Sequence, residues 1–147
     1  MKKYFIVAGE PSGDLHGSKL IKAIKHLNPN SSFMGHGGDS MRNEGMHIIE
    51  HVDSLAIMGF AEVLRHLPRM NRIMRNTVGA IERSKPDRVI LIDYPGFNLR
   101  LAKRLSPLKI PITYFILPQA WAWKQRRVEV LKRFIDQSIS IFPFEND

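Results

Sequence analysis

The sequence predicts an α/β fold: a Rossmann-like parallel sheet flanked by helices. Short apolar runs alternate with segments of helical periodicity along the 147 residues, which is typical of consecutive βα units. One run, at residues 89–92, is almost entirely β-branched, as strands prefer. Another, at residues 4–8, is apolar throughout, as expected for a strand covered on both faces.

The elements are predicted in order from the N-terminus. A helix over 15–27 follows the first strand and ends at Asn28-Pro29-Asn30. Its spacing turns five apolar residues inward: Leu15, Leu20, Ile21, Ile24 and Leu27. A short strand over 32–34, a short helix capped by Asp39 or Ser40, and an extended segment over 47–49 come next.

The rest of the chain repeats this alternation. We expect a helix over 59–84, broken near Pro68. It is followed by a strand over 87–92, a turn at Pro95-Gly96 and a helix over 97–105. The last predicted elements are a strand over 112–116, a helix over 124–134 and a strand over 138–142.

The composition excludes several classes of protein. The absence of cysteine excludes a disulfide scaffold, a thiolate zinc site and a cysteine nucleophile. No apolar run approaches the roughly 20 residues that span a bilayer, and the apolar start is too short for a signal peptide. The net charge of +8 favours an anionic partner: a lipid surface, nucleic acid or a phosphorylated small molecule.

The loop Gly9-Glu10-Pro11-Ser12-Gly13-Asp14 joins the first strand to the first helix. Its glycines allow close approach to the backbone, and a helix N-terminus offers free N–H groups to an anion. It matches neither GxGxxG nor a P-loop. The alternative is a tight turn in which Ser12 or Asp14 caps the helix. Gly35-His36-Gly37-Gly38 would border the same crevice or form a flexible turn.

Asp93, in Ile92-Asp93-Tyr94-Pro95-Gly96-Phe97-Asn98, follows the strongest predicted strand. A carboxylate at the carboxyl end of a buried strand faces a crevice of low dielectric, where desolvation raises a carboxyl pKa and favours a general base. The alternative is a helix cap or turn acceptor.

Trp121 and Trp123, in Pro118-Gln119-Ala120-Trp121-Ala122-Trp123-Lys124, point the same way if the segment is extended. They would wall a pocket for a sugar or an acyl chain, or anchor a loop on the core.

Residues 60–75 combine apolar positions at helical spacing with interleaved arginines. This pattern suits a helix lying in an anionic lipid interface. An ordinary amphipathic helix on the sheet is the alternative.

His47-Ile48-Ile49-Glu50-His51 matches the H-x-x-E-H pattern of some zinc proteases. That pattern needs a helix, and an extended segment would separate the imidazoles by roughly 13 Å. We therefore predict no metal site.

Five segments, in this order and spacing, resemble the lipid-A-disaccharide synthase family. They are residues 8–14, Leu55-Ala56-Ile57-Met58-Gly59-Phe60, residues 93–98, residues 118–124 and Phe142-Pro143-Phe144-Glu145. The resemblance implies a GT-B glycosyltransferase with two Rossmann-like halves. Residues 1–147 would be the N-terminal, acceptor-side domain. The donor-nucleotide domain would be absent, leaving this chain inactive alone.

The resemblance also implies the reaction. UDP-2,3-diacylglucosamine and 2,3-diacylglucosamine 1-phosphate would give a β(1→6) disaccharide 1-phosphate and UDP, in lipid A biosynthesis. The enzyme would be peripheral on the cytoplasmic face of the inner membrane. No cofactor and no nucleic acid are implied, and a homo-oligomer is left open.

The resemblance assigns roles to residues. Asp93 falls on the family's essential carboxylate, for which we hypothesise general-base catalysis; Gly96 stands where many members have Asp. The expected substrate-binding residues are Gly9, Glu10, Ser12, Gly13, Asp14, Gly37, Met58, Asn98, Gln119, Trp121 and Trp123. The expected membrane-contacting residues are Phe60, Val63, Leu64, Leu67 and Met70.

Two other function classes remain as alternatives. A non-catalytic basic module would bind anionic membrane or nucleic acid, with strong salt dependence. A zinc hydrolase would be built on His47 and His51.

Overall fold

A computed structural model describes residues 1–56, 67–116, 129 and 132–140. The strands are β1 (Lys3–Ala8), β2 (Ser32–Gly37), β3 (His47–His51), β4 (Arg88–Ile92), β5 (Ile112–Ile116) and β6 (Gln137–Ser140). The helices are α1 (Pro11–Leu27), α2 (Asp39–Asn43), α3 (Val52–Ala56), α4 (Leu67–Ser84) and α5 (Pro95–Leu105), with a 3₁₀ turn at Ser106–Leu108.

The six strands form one parallel sheet in the order β3-β2-β1-β4-β5-β6. The chain builds outward from β1 in one direction through β2 and β3, and in the other through β4, β5 and β6. The sheet therefore has its topological switch point between β1 and β4, where open α/β sheets bind ligands. This confirms the predicted Rossmann-like sheet with flanking helices.

The sheet is covered on both faces because each central strand is apolar on both sides. Phe5 and Val7 of β1 pack in one cluster with Ile73 and Met74 of α4 and several side chains of α5. Ile6 and Ala8 pack in the other with Ile21 of α1 and Met41 of α2. The alternation of β1 thus places α4 and α5 on one face and α1 on the other.

The first helix differs from its prediction. It begins at Pro11, four residues earlier, because proline is well suited to the first helical position. Leu15 is 50% exposed and Leu27 is 85% exposed, so their predicted inward orientation is wrong. The buried face instead runs through Gly13, Asp14, Gly17 and Ile21.

Three more elements, on the β2–β3 side of the sheet, differ from their predictions. The second strand continues to Gly37, because Gly35 passes close to β1: a Cβ there would lie 1.9 Å from the Ile6 carbonyl oxygen. The flexible-turn alternative for residues 35–38 is therefore wrong. α3 was not predicted. The segment expected to be extended forms β3 over the whole of His47–His51.

Of the remaining elements, β4, β5 and the end of α1 match their predictions. The helix predicted over 59–84 is described from Leu67 to Ser84, as α4, and its earlier part lies outside the described residues. α5 begins two residues earlier than predicted, at Pro95, so the turn predicted at Pro95-Gly96 is wrong: proline suits the first position of a helix. Of the helix predicted over 124–134, residues 129 and 132–134 are described, and all four are helical. β6 covers the described part of the last strand. Among the described helices, none is long and apolar enough to cross a membrane.

Candidate active site at the carboxyl ends of β1 and β4

The loops that follow β1 and β4 meet at the switch point of the sheet. Ala8 and Ile92 are register partners at the ends of these two strands, so the residues after them lie side by side. A narrow cleft between the loops is lined by Glu10, Ser12, Gly13, Ile92, Asp93 and Tyr94. Of the predicted substrate-binding residues, the cleft contains Glu10, Ser12 and Gly13, and it contains the predicted base, Asp93.

The N-terminus of α1 opens onto this cleft without a side-chain cap. Glu10 is the N-cap residue and makes no capping hydrogen bond, so the alternative in which Ser12 or Asp14 caps α1 is wrong. Pro11 has no N–H, and the N–H groups of Ser12 and Gly13 have no intrahelical partner in a first turn. With 17 residues of helix behind them, these groups favour an anion at this point.

Asp93 stands in a left-handed backbone conformation, with φ of 43°, and Tyr94 follows with φ of 50°. Two consecutive non-glycine residues in this region are uncommon and costly, and such strain concentrates at functional sites. The Asp93 N–H donates to the carbonyl of Phe115 at 2.8 Å. The turn connects β4 to α5 and places Asp93 in the lining of the cleft.

The side chain of Asn98 stabilises this turn through hydrogen bonds to backbone carbonyls. The residue is fully buried, and its Nδ2 donates to the carbonyls of Asp93 at 2.8 Å and of Val7 and Ile92 at 3.3 Å each. The hydroxyl of Tyr114, also fully buried, donates to the same Asp93 carbonyl. Asn98 therefore ties the ends of β1 and β4 together, and direct substrate contact by Asn98 stays a prediction.

Tyr94 is a cleft residue that the sequence did not single out. Its ring covers Gly9 so closely that a Cβ at Gly9 would lie 2.3 Å from Tyr94 Cδ1. Burial, and to a lesser extent the charge of Glu10, raises the pKa of the Tyr94 hydroxyl, which is therefore neutral at physiological pH. The glycine signalled a close approach to the backbone, but only the fold shows that the approaching group is Tyr94.

Asp14 is buried and faces α2 rather than the cleft. Its carboxylate accepts hydrogen bonds from three backbone N–H groups, those of Gly38 at 2.7 Å, Ser40 at 3.1 Å and Met41 at 3.0 Å. The predicted capping of α2 by Asp39 or Ser40 is wrong, because α2 begins after Gly38 without a local side-chain cap. Asp14 supplies the cap from α1, and its predicted substrate contact stays a prediction.

The Asp39 side chain does not cap α2 but contacts two basic side chains. Its carboxylate contacts His51 at 3.0 Å and Arg42 at 3.3 Å. The hydrogen bond and charge of His51, with a smaller contribution from Arg42, lower the pKa of Asp39.

Gly37 ends β2 on the side of α2. A Cβ at Gly37 would lie 2.6 Å from Met41 Sδ and 2.9 Å from Met46 Cε, so the glycine makes room for two core methionines. It is not among the residues that line the cleft, and its predicted substrate contact stays a prediction.

His36 lies in β2, within the glycine-rich segment 35–38. Its side chain is buried against α4. Its Nε2 lies 2.9 Å from the hydroxyl of Thr77, which itself donates to the Ile73 carbonyl at 2.6 Å. Nε2 must therefore carry the proton and donate. Burial lowers the pKa of His36 to about 4, so the ring is neutral at physiological pH.

Several predicted residues lie outside the described part of the chain: Met58, Phe60, Val63, Leu64, Gln119, Trp121 and Trp123. The side chain of Leu67 is likewise not described. Met70 is half-buried and lines a cavity between α4 and α5 together with Met74 and Phe97. Within the described residues, no group of three or more His, Asp or Glu side chains is placed to hold a metal ion.

A model of the lipid-A-disaccharide synthetase family matches residues 4–147. A lipid-A-disaccharide synthase of Myxococcus xanthus is 39% identical over 145 residues, covering 99% of this chain and 38% of the relative. One from Coxiella burnetii is 38% identical over 144 residues, covering 98% and 38%. One from Koribacter versatilis is 40% identical over 146 residues, covering 99% and 38%. The chain thus spans well under half the length of these relatives.

Two solved structures share the fold. The UDP-GlcNAc 2-epimerase of Neisseria meningitidis, bound to UDP-GlcNAc, superposes with a TM-score of 0.62 at 12% identity. It covers 95% of this chain, which corresponds to 40% of the epimerase. A putative UDP-N-acetylglucosamine 2-epimerase of Listeria monocytogenes gives a TM-score of 0.61 at 10% identity, over 95% of this chain and 39% of that protein. At these identities the likeness shows the fold alone.

Proposed function

The chain belongs to the lipid-A-disaccharide synthetase family, and on that premise we propose that it forms the acceptor-side domain of an inverting glycosyltransferase. The proposed substrates are UDP-2,3-diacylglucosamine and 2,3-diacylglucosamine 1-phosphate, and the products are the β(1→6)-linked disaccharide 1-phosphate and UDP. The observation that carries the proposal is the match over residues 4–147, combined with a carboxylate at the switch point of the sheet.

The proposed chemistry needs one base and one direct displacement. The 6-hydroxyl oxygen of the acceptor attacks the anomeric carbon of the donor, the bond from that carbon to the UDP oxygen breaks, and UDP leaves with the electron pair. The Asp93 carboxylate accepts the hydroxyl proton. A positioned base of this kind contributes roughly 10²–10⁴-fold to the rate. Asn98 and Tyr114 support this role, since both hold the Asp93 carbonyl.

The uncapped N-terminus of α1 is proposed to face a phosphate of one of these substrates. The free N–H groups of Ser12 and Gly13 would donate hydrogen bonds to this phosphate. Such a contact needs no cationic side chain. Gly9 and Glu10 complete this side of the cleft. The loop after β4 supplies the base and the loop after β1 the anion contacts.

We also propose that the protein works at a membrane surface, on the cytoplasmic face of the inner membrane, because both proposed substrates carry acyl chains. The net charge of +8 supports attraction to an anionic surface. The comparisons give no support to a non-catalytic basic module, and the β-strand conformation of His47–His51 argues against the zinc hydrolase.

The test measures disaccharide formation by residues 1–147 joined to the remaining C-terminal part of the Myxococcus xanthus relative. Asp93→Asn should lower turnover by roughly 10²–10⁴-fold. Asparagine tolerates the left-handed conformation of position 93, so the thermal midpoint should stay unchanged. Asp87→Asn, at an exposed position just before the start of the same strand, is the matched control and should keep full activity.

Two results would contradict the proposal. Asp93→Asn with near-normal turnover would remove the general-base role while leaving the family reaction intact. Failure of the joined protein to make any disaccharide, with both parts folded and the Myxococcus xanthus enzyme active in the same assay, would count against the acceptor-side role itself.

A further inference from the structure

The side chain of Asn98 lies next to the cleft but outside the reach of a ligand in it. Asn98 stands in the first turn of α5, and none of its surface is exposed. It is absent from the described residues that line the cleft. A substrate in the cleft could therefore touch the Asn98 amide only by displacing the loop after β4, so any part that Asn98 plays in the reaction passes through other residues.

Asn98 holds both residues of the strained pair at the end of β4. Its backbone N–H donates to the carbonyl of Tyr94 at 3.0 Å, and its Nδ2 donates to the carbonyl of Asp93 at 2.8 Å. Two consecutive left-handed residues persist only where the surroundings determine their conformation. Because the backbone conformation governs which side-chain rotamers are allowed, these two hydrogen bonds restrict the direction of the Asp93 carboxylate.

The same amide group reaches the end of β1. Nδ2 lies 3.3 Å from the carbonyls of Val7 and of Ile92. An amide has two N–H hydrogens, which three backbone carbonyls here share. Val7 is followed within a few residues by the loop that carries Ser12 and Gly13. One buried side chain thus links the loop that supplies the carboxylate to the strand that leads to the uncapped helix N-terminus.

The oxygen of the Asn98 amide gives an independent reason to look beyond stability. Oδ1 is buried and has no hydrogen-bond partner in the described part of the chain. An unpaired buried acceptor is unfavourable, and such groups in a folded protein call for an explanation. A leucine would fill a similar volume without an unpaired oxygen. The asparagine is explained by the carbonyls that its N–H groups hold.

We propose that Asn98 is a positioning residue for the transfer reaction. It does not touch the substrate. It holds the Asp93 carboxylate at the distance and angle at which that group takes the acceptor proton. The inference rests on the proposed function, because it requires Asp93 to act as the base. A displacement of about 1 Å from the productive geometry can lower a rate by about 100-fold.

The first test compares turnover in residues 1–147 joined to the C-terminal part of the Myxococcus xanthus relative. Asn98→Ala should lower kcat by about 100-fold and change KM by less than about threefold. In an Asp93→Asn background the same substitution should lower kcat by less than about threefold further, because no base remains to be positioned. A direct contact between Asn98 and the substrate would instead give losses that multiply.

Two variants control for folding. Asn98→Leu fills a similar volume without the N–H donors and should lose kcat as Asn98→Ala does, so a failure of the alanine variant to fold leaves the test intact. Thr77→Val removes a buried hydroxyl that bonds to His36 and to the carbonyl of Ile73, away from the cleft. It should lose stability but keep kcat within about threefold.

The second test needs no activity. The Asp93 N–H donates to the Phe115 carbonyl at 2.8 Å, and the Val89 N–H, at the other end of β4, donates to the Pro111 carbonyl at 3.0 Å. Hydrogen exchange of the Asp93 amide in the chain alone, measured relative to that of Val89, should become about tenfold faster in both Asn98 variants. In Thr77→Val this ratio should stay unchanged.

Four outcomes are decisive. An unchanged exchange ratio in both Asn98 variants would overturn the positioning role, whether or not the joined protein is active. Multiplying losses in the Asp93→Asn background would assign Asn98 to substrate contact, and an equal loss of kcat in Thr77→Val would show a general effect of destabilisation. An inactive parent protein would count against the proposed function, and the exchange ratio would then decide whether Asn98 holds the Asp93 turn.

Discussion

The carboxylate of Asp14 on α1 accepts a hydrogen bond from the backbone N–H of Gly38 at 2.7 Å, at the N-terminus of α2. A Cβ at position 38 would lie 2.6 Å from Asp14 Oδ2, so the contact requires glycine there. One helix thus caps another across 24 residues of sequence. The contact ties the loop after β2 to the helix that opens onto the cleft.

Replacing Asp14 should destabilise the fold. Asp14→Ala leaves the N–H groups of Gly38, Ser40 and Met41 without their acceptor, and the expected loss in unfolding free energy is roughly 2–3 kcal/mol. Urea denaturation measures it. The control, Asp39→Ala, removes an exposed carboxylate on α2 and should cost clearly less, because water screens its ion pairs. Equal losses for the two variants would contradict the capping role.

Gly9→Ala should force the Tyr94 ring out of its position. The new Cβ would lie 2.3 Å from Tyr94 Cδ1, and overpacking of this kind costs about 1–3 kcal/mol. The loss should shrink in a Tyr94→Ala background, with a coupling energy between about 0.5 and 3 kcal/mol. The unfolding free energies of the four proteins give this coupling.

Gly96→Ala serves as the control for that cycle. Gly96 lies in the first turn of α5, and a Cβ added there would meet no other atom within 4 Å. The substitution should be neutral or stabilising by up to about 1 kcal/mol. Additive effects of Gly9→Ala and Tyr94→Ala would show that the ring does not rest on Gly9.

Tyr114→Phe tests the support beneath Asp93. The substitution keeps the buried ring and removes the hydroxyl that donates to the Asp93 carbonyl, which should lower the unfolding free energy by about 1 kcal/mol. Tyr4→Phe is the control, since the Tyr4 hydroxyl makes no hydrogen bond within the described residues. It should change stability by less than about 0.5 kcal/mol, and indistinguishable results would argue against the Tyr114 contact.

His36 should make stability depend on pH. Burial lowers its pKa from 6.5 to about 4, so between these values the unfolded chain binds a proton that the folded chain excludes. The contribution is complete above about pH 6.5 and is lost as the pH falls towards 4, by roughly 3 kcal/mol in total.

The His36→Gln variant separates this effect from other titrating groups. It should be less stable than the parent at neutral pH, yet its unfolding free energy should fall less between about pH 7 and pH 4. Urea denaturation at several pH values measures the difference. His26→Gln, which replaces an exposed histidine, is the matched control. Parallel curves for His36→Gln and the parent would contradict the burial argument.

The main strands were predictable because their signal is local. A continuous apolar run such as Val89–Ile92 must be buried on both faces wherever it occurs. The end of α1 before Asn28 and the position of Asp93 after β4 were predictable for the same reason: both depend on residues that are close together in the chain. Helix faces were less predictable, as Leu15 and Leu27 show, because the buried face of α1 is set by where the sheet lies.

The sequence alone determined the class of fold, the family resemblance and the position of one carboxylate after a buried strand, since each depends on residues close together in the chain. The tertiary structure decided which distant residues meet. It placed Tyr94 over Gly9, turned Asp14 towards Gly38, buried His36 against Thr77 and set Met70 beside Arg100. These contacts join residues 24 to 85 positions apart, or bring two helices together, and strand order and helix packing, which no local pattern specifies, create them.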